Sequence, residues 1–320
     1  MKSQYAFVVC ADIRYLPEVV ALLGSLDYVG NTSDVHFFGY QIPKEIQEQF
    51  ILLNYQVIFH EITDEEIQES HGLSEVVCRK RYFYANQIGR EYRAVCVLDA
   101  DMIFTRNPVQ FFVIAEKTGF VLGCNKEQNE AYNDPHHQHK GKWLIPEGYW
   151  NDKDLTNCPL FVDTKIWGRA LARSYEIFLD GFPDDNFKGP DMAALCICLI
   201  EAGARDRIVK LPNLQWLGTN EALLKTYTKA VCKGEDNNLW TENGLEIFSY
   251  HGQFFHHRWR EQQLLNRKGC IAGRLNNSEK SYGDAISGLE TLTKRFFEML
   301  DHKIKIEYKN YRHPELPYEK

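Results

Sequence analysis

The sequence lacks the marks of several large classes of protein. No apolar run among its 320 residues approaches the roughly 20 residues that a membrane-spanning helix requires. The formal net charge is −7, which argues against a nucleic-acid binder because such proteins carry basic surfaces. Internal repeats and low-complexity segments are missing as well, so we expect neither a solenoid nor a disordered chain.

Cysteine pairs with the spacing of zinc or redox sites are also missing. The nine cysteines are an odd number, and no two of them form a CxxC motif. Several lie in apolar stretches, namely Cys10, Cys96, Cys196 and Cys198. Buried, reduced thiols are typical of a cytoplasmic protein, and we predict that location. The apolar run that ends before Asp12 is also too short for a secretory signal peptide.

What the sequence does contain is an alternation of strands and helices. Apolar runs predict strands at Tyr5 to Ala11, Val35 to Tyr40 and Val57 to His60, and helical periodicity lies between them. Such alternation predicts an α/β fold with a mostly parallel central sheet flanked by helices. From residue 264 onward the chain becomes polar. We therefore expect a main domain over residues 1–263 and a small helical extension with a tail over residues 264–320.

The central motif follows a further predicted strand, Val95 to Leu98. Asp99 and Asp101 come directly after it, and a second apolar run begins at Met102. Residues i and i+2 of an extended chain point the same way, so both carboxylates can reach one cation. Open α/β sheets bind ligands at the carboxyl ends of their strands, and hard oxygen ligands suit a divalent metal that carries a diphosphate. We favour such a metal site over the alternative, a solvated acidic turn.

A second group of candidates lies in the loop after the first strand. If that strand neighbours the Asp99 strand, Asp12 and Tyr15 lie in the same crevice as the carboxylate pair. An Asp can accept a hydrogen bond from a base N–H, and an aromatic ring can stack on the base. The alternative is a helix-capping Asp12 and a core Tyr15. Beside the carboxylate pair, the binding role is favoured.

A late histidine, His251, can complete the site because an imidazole joins two carboxylates naturally on Mn²⁺. A nearby cation, from His257 or Arg258, would then stabilise a leaving diphosphate. The alternative for His251 is a surface histidine cluster beside a core aromatic pair, and for His256 we favour that alternative.

Two further stretches are rich in residues that could bind a metal or a membrane. The irregular residues 125–154 include three histidines within Asp134 to His139, which are too close together for a rigid metal cage, and we favour a polar lid or acceptor loop. Basic and aromatic residues alternate between Lys294 and Arg312, a mix that could make weak peripheral contact with an anionic membrane. Acidic residues dilute its charge, so a solvated helix and tail is favoured.

Taken in order, these residues resemble the GT-A fold glycosyltransferases, in particular the glycosyltransferase family 8-like branch of glycogenin and the lipopolysaccharide galactosyltransferases. The likeness spans about residues 5–260 and implies a Rossmann-like GT-A fold. It also implies a metal-dependent enzyme that transfers a hexose or pentose from a UDP-sugar to a saccharide, glycolipid or protein acceptor. The features that carry it are Ala11-Asp12 with Tyr15, the basic helix Arg79 to Tyr84, Leu98 to Asp101, Asn157 before a short strand, and His251 with Trp259.

The resemblance implies a role for each nucleotide-binding and metal-binding position. The loop at Ala11 would hold the uracil, with Asp12 on the base and Tyr15 stacked over it. Ala100 would lie against the ribose. The ligands of Mn²⁺, or of Mg²⁺, would be Asp99, Asp101 and His251.

Basic residues would contact the donor's phosphates. The family's diphosphate-gripping lysine falls at His257, with Arg258 as the adjacent alternative. A basic residue upstream of the carboxylate pair contacts the donor sugar or phosphates, and Arg81 is our choice over Arg79 and Lys80.

The sequence departs from the family at two positions near the transferred sugar. The family's Phe-Asn-Ser/Ala-Gly becomes Thr156 to Pro159, which keeps Asn157 but loses the glycine. Its Asp-Gln pair becomes Asp191-Met192, so the amide that lies beneath the donor sugar in retaining enzymes is lost. Asp191 either caps the following helix or faces the donor sugar and receives the acceptor hydroxyl, and the two roles are compatible. The stereochemical course stays open.

Two rival functions use the same residues. In a haloacid-dehalogenase-type phosphohydrolase, Asp99 would be the nucleophile, Asp101 the general acid, and Asp184-Asp185 the Mg²⁺ ligands, with Thr105 as the small hydroxyl residue. That motif normally opens its domain, whereas here βαβ structure comes first. A catalytically silent nucleotide-sugar-binding module is the second rival.

Overall fold

The structure is a computed structural model of the chain. It describes residues 3–73, 76–123, 158–181, 191–204, 207–211, 216–217, 230–233, 238–241 and 246–251. The predictions for residues 125–154, for the domain boundary at residue 263 and for the C-terminal extension lie outside these ranges.

Strands and helices alternate over the first part of the described chain, up to residue 98. The strands are β1 (Tyr5–Asp12), β2 (Asp34–Tyr40), β3 (Val57–Glu61), β4 (Ala94–Leu98), β5 (Met102–Phe104), β6 (Phe120–Gly123), β7 (Leu160–Val162), β8 (Ile208–Leu211), β9 (Trp216–Leu217), β10 (Ala230–Lys233), β11 (Asn238–Thr241) and β12 (Ser249–His251). The helices are α1 (Leu16–Tyr28), α2 (Lys44–Gln47), α3 (Asp64–Glu69), α4 (Arg81–Gly89), α5 (Val109–Thr118), α6 (Thr164–Gly181) and α7 (Asp191–Glu201).

A seven-stranded sheet forms the centre of the described structure. Its order is β3-β2-β1-β4-β7-β6-β8. The pairs β3–β2, β2–β1, β1–β4 and β6–β8 are parallel, and β7 runs antiparallel to both of its neighbours. The predicted α/β fold with a mostly parallel sheet is therefore confirmed. Two smaller sheets accompany it, β5-β12-β9 and β10-β11.

Helices cover both faces of the central sheet, which is why its middle strands are apolar along their whole length. In β1 alternate side chains enter different apolar clusters. Phe7 and Val9 pack with helices α1 and α5, whereas Val8 and Cys10 pack with α4, α6 and α7. The period of two in a strand produces this division, so a single strand contributes to both halves of the core.

The segment before β4 is not one regular α-helix. The described part of it begins with a π-helical turn, Val76–Lys80, which passes directly into α4. A π turn admits one extra residue per turn and is often found at functional positions. Here the turn ends at three consecutive basic residues, Arg79, Lys80 and Arg81, and all three are buried.

The segment Pro43 to Leu53, where the sequence predicts helical periodicity between two strands, is divided in a similar way. It consists of the short helix α2 followed by a 3₁₀ helix, Glu48–Leu52.

In the described part of the chain, no helix is both long enough and apolar enough to cross a membrane.

Candidate functional site

The predicted carboxylate pair lies at the carboxyl end of β4, near the middle of the sheet. We call Asp99-Ala100-Asp101, which connects β4 to β5, the DxD segment. Because β1 and β4 are parallel neighbours with Val9 opposite Leu98, Asp12 at the end of β1 lies at the same edge. The edge at which the sequence predicted a ligand site therefore brings these groups together.

Asp99 is held from two sides. The Arg81 guanidinium donates a hydrogen bond from Nη1 to Asp99 Oδ1, and the Arg81 side chain is only 6% exposed. The backbone N–H of Asp99 donates to Cys158 Sγ at 2.8 Å. Arg81, which the resemblance assigns to the donor sugar or phosphates, contacts Asp99 in this structure. Its partner is a carboxylate of the DxD segment.

A long-range strand pairing brings His251 to this edge. Strand β12 runs antiparallel to β5, with His251 opposite Met102. The backbone of His251 thus lies beside the residue that follows Asp101, although the two positions are far apart in the sequence. This pairing makes a shared metal site between the DxD segment and His251 geometrically reasonable.

A second buried acid, which sequence reasoning missed, lies near the DxD segment. Glu18, in the first turn of α1, is 3% exposed. Burial is the main reason that its pKa rises to about 8; its own backbone N–H lowers the pKa, and the charges of Asp101 and Asp12 raise it further. A glutamate behind Pro17 gave no signal beyond an ordinary helix start.

The predicted stacking residue, Tyr15, shares this acidic environment. Burial raises the pKa of the Tyr15 phenol, and the charges of Asp101, Glu18 and Asp12 raise it further. Asp12 itself is buried. Three carboxyls, Asp101, Glu18 and Asp12, therefore lie within electrostatic range of the Tyr15 ring.

One of the basic residues before β4, Lys80, pairs with a glutamate on α3. Lys80 Nζ lies 2.9 Å from Glu66 Oε1, and Tyr84 Oη donates to the same oxygen at 2.8 Å. Glu66 also closes a capping box with Thr63, in which each side chain accepts a hydrogen bond from the other residue's backbone N–H. The Tyr84 ring stacks on Phe38, with centroids 3.9 Å apart.

Comparisons with known proteins concern the fold. No protein-family model and no curated protein sequence matches the chain. Among solved structures, galactosyltransferase LgtC in complex with donor and acceptor sugar analogues is similar with a TM-score of 0.53 and 11% identity, covering 93% of this chain and 100% of that one. An active-site mutant of LgtC gives a TM-score of 0.52 and 12% identity, covering 86% of this chain and 98% of that one.

The bifunctional glycosyltransferase WbbM, in an apo structure, gives a TM-score of 0.55 and 10% identity, covering 93% of this chain. The chain matches 52% of WbbM's length, about half. These neighbours and the sheet order agree with the fold that the sequence motifs implied. The chain has the GT-A glycosyltransferase fold.

Within this GT-A fold, the structure brings together part of the predicted site. Asp12, Tyr15, Ala100 and Arg81 surround the carboxylate pair or lie at the same sheet edge, and Ala11 is buried near the end of β1. Asp191 is the first residue of α7. Several other predicted residues lie outside the described ranges, namely Asn157, His257, Arg258 and Trp259.

The metal site is the least complete part of this GT-A arrangement. Among the described side chains, no group of three His, Cys, Asp or Glu residues is placed to hold a metal ion. Asp99 and Asp101 with His251 therefore stay a predicted ligand set. One residue that sequence reasoning undervalued is Cys158, which appeared only as a departure from the family pattern and holds the backbone of Asp99.

Proposed function

We propose that the chain is a metal-dependent glycosyltransferase that transfers a hexose or pentose from a UDP-sugar to a saccharide, glycolipid or protein acceptor. The observation that carries the proposal is the meeting of the DxD segment, Asp12, Arg81 and the backbone of His251 at one edge of a GT-A sheet. Carboxylates and a guanidinium at this edge of the sheet suit the binding of a nucleoside diphosphate together with its cation.

The chemistry of the residues fits a divalent cation. Asp99 and Asp101 offer hard oxygen ligands, and an imidazole from His251 would complete a set that suits Mn²⁺ and also admits Mg²⁺. Asp99 already accepts a positive partner, since the Arg81 guanidinium lies on its Oδ1. The bound metal would neutralise charge that develops on the leaving diphosphate.

The remaining residues would bind and orient the donor. Asp12 would accept a hydrogen bond from the uracil N–H, Tyr15 would stack on the base, and Ala100 would leave room for the ribose. Arg81 would exchange Asp99 for a phosphate oxygen of the donor when a cation occupies the carboxylates. Such a site works through positioning and charge stabilisation more than through covalent chemistry.

Residues nearer the transferred sugar belong to the same proposal. Asp191 would face the donor sugar or receive the proton of the acceptor hydroxyl, and Asn157 would contact the sugar. His257 or Arg258 would add a second positive contact to the diphosphate.

A cytoplasmic location is part of the proposal. It rests on the cysteines, since among the described residues the buried Cys10, Cys96, Cys158 and Cys198 form no disulfide.

A thermal-shift screen tests the donor class. The chain would be heated with UDP-, GDP- and CMP-sugars, each with and without Mn²⁺, because a ligand that binds only the folded state raises the melting temperature. We expect UDP-sugars with Mn²⁺ to give the largest increase, and EDTA to abolish it. No response to any nucleotide sugar, or no effect of EDTA, would contradict the proposal.

Turnover then separates an enzyme from a silent binding module. Release of UDP from the donor that stabilises the chain should fall in the variants Asp99→Asn and Asp101→Asn. The matched control is Asp64→Asn, at an exposed acidic position in the first turn of α3. Tight UDP binding without transfer or hydrolysis would favour the module. Stabilisation by a fluoride-based phosphoenzyme mimic, without any response to UDP, would favour the phosphohydrolase.

A further inference from the structure

Glu18 is an anomaly in the described structure. Its side chain is buried, yet neither carboxyl oxygen has a hydrogen-bond partner apart from its own backbone N–H. Burying an unsatisfied carboxyl costs free energy, and native proteins tolerate few such groups. A glutamate kept in this state is a candidate for contact with a ligand.

The position of Glu18 follows from the helix that carries it. Glu18, Leu22 and Ser25 are spaced i, i+4 and i+7, so they lie along one face of α1. Ser25 Oγ accepts a hydrogen bond from the Phe104 backbone N–H at 3.0 Å, which places this face against β5. The residue that precedes β5 is Asp101.

Electrostatics agree with that placement. The charged groups that raise the pKa of Glu18 are Asp101 first and Asp12 second. The same three carboxyls raise the pKa of Tyr15. Glu18 therefore lies within electrostatic range of the residue proposed for the base and of a residue proposed for the metal.

We propose that Glu18 binds the ribose of the donor nucleotide and that a ribose hydroxyl supplies its missing hydrogen-bond partner. This inference rests on the proposed function. In a nucleoside diphosphate the ribose joins the base to the phosphates, and Glu18 lies within electrostatic range both of Asp12, proposed for the base, and of Asp101, proposed for the metal. A carboxyl can accept a hydrogen bond from a hydroxyl O–H in either protonation state, because it always keeps an acceptor oxygen.

Deoxynucleotides test the contact directly. The affinities of UDP, 2′-deoxy-UDP and 3′-deoxy-UDP would be measured by calorimetry with Mn²⁺, using the full chain and its variants Glu18→Leu and Glu18→Gln. We expect the wild type to bind UDP roughly 5- to 100-fold more tightly than one of the deoxy forms. The Glu18→Leu variant should bind UDP and that deoxy form equally, and Glu18→Gln should fall between.

Two controls protect the interpretation. Glu65→Gln, at an exposed position on α3, should keep the wild-type preference. The Glu18→Leu variant should melt at a higher temperature than the wild type, because it removes a buried, unpartnered carboxyl, so weaker binding cannot come from unfolding.

The outcomes separate the two proposals. If the wild type binds no nucleoside diphosphate, the proposed function fails and the ribose contact fails with it. If the wild type binds UDP and Glu18→Leu keeps the same preference for ribose hydroxyls, the ribose contact alone is overturned. Equal loss of affinity for UDP and both deoxy forms would place Glu18 on the base or outside the site, and would likewise overturn it.

Discussion

Two glutamates, the buried Glu18 and the partly exposed Glu66, show how different the surroundings of an acid can be within one protein. Burial acts to raise the pKa of Glu66, but hydrogen bonds from Lys80, Thr63 and Tyr84 outweigh it and the pKa is lowered. The pKa of Glu18 rises to about 8, since burial and nearby negative charges act without such partners. Glu66 accepts hydrogen bonds from three residues, whereas neither carboxyl oxygen of Glu18 bonds to another residue. A buried carboxyl with unsatisfied oxygens is more informative about function than a satisfied ion pair.

The largest effect should come from the acids that surround Glu18. We expect Asp101→Asn to lower sugar transfer roughly 100-fold or more, because a carboxylate of the cation site is lost. UDP release under saturating donor and Mn²⁺ measures it. Turnover equal to that of the reference variant, Asp64→Asn, would show that Asp101 takes no part in sugar transfer.

The pH dependence of stability should identify Glu18 next. The folded-state pKa of about 8 lies above the ordinary 4.5. The contribution of Glu18 to the free energy of unfolding is therefore fully present below pH 4.5 and is lost as the pH rises through 8. We expect the free energy of unfolding of the wild type to fall by on the order of 3 kcal/mol between pH 4.5 and pH 7 because of Glu18. This fall should be missing in Glu18→Gln. Urea unfolding of both proteins across this range measures it. Parallel pH profiles for the two would show that Glu18 is ionised at neutral pH.

Glu66 should behave in the opposite way. We expect Glu66→Ala to lower the free energy of unfolding by about 1–3 kcal/mol, since it removes a capping box and leaves the buried Lys80 without its carboxylate. Urea unfolding with Glu65→Ala as the matched control measures this loss. If both variants lose the same small amount, Glu66 does not organise the basic segment.

The smallest effect should come from Cys158. Its Sγ accepts the backbone N–H of Asp99 and lies 3.2 Å from Met102 Sδ. We expect Cys158→Val to lower stability by about 1 kcal/mol, because the Asp99 N–H then loses its acceptor, and Cys158→Ser to lose less. Thermal unfolding of the two variants compares them. A larger loss for the serine variant would show that packing matters more than the hydrogen bond.

Much of the fold was predictable because local sequence patterns indicate the strands of the central sheet. The apolar runs of β1, β2 and β4 are buried on both faces, and a short window reveals such strands. The region before β4 was less predictable. Lys80 and Arg81, at its π turn, pair with Glu66 and Asp99, which lie on other segments of the chain. No local pattern records that choice.

The candidate site divides along the same line. The sequence by itself determined the strand–carboxylate motif at Asp99 and Asp101 and the loop at Asp12, because each is a short run of residues with a period or spacing that a strand imposes. Only the tertiary structure decided that His251 pairs opposite Met102, that Arg81 lies on Asp99, and that Glu18 is buried without a partner. Burial and long-range pairing depend on how distant segments meet, and chemistry of this kind becomes visible only after the chain has folded.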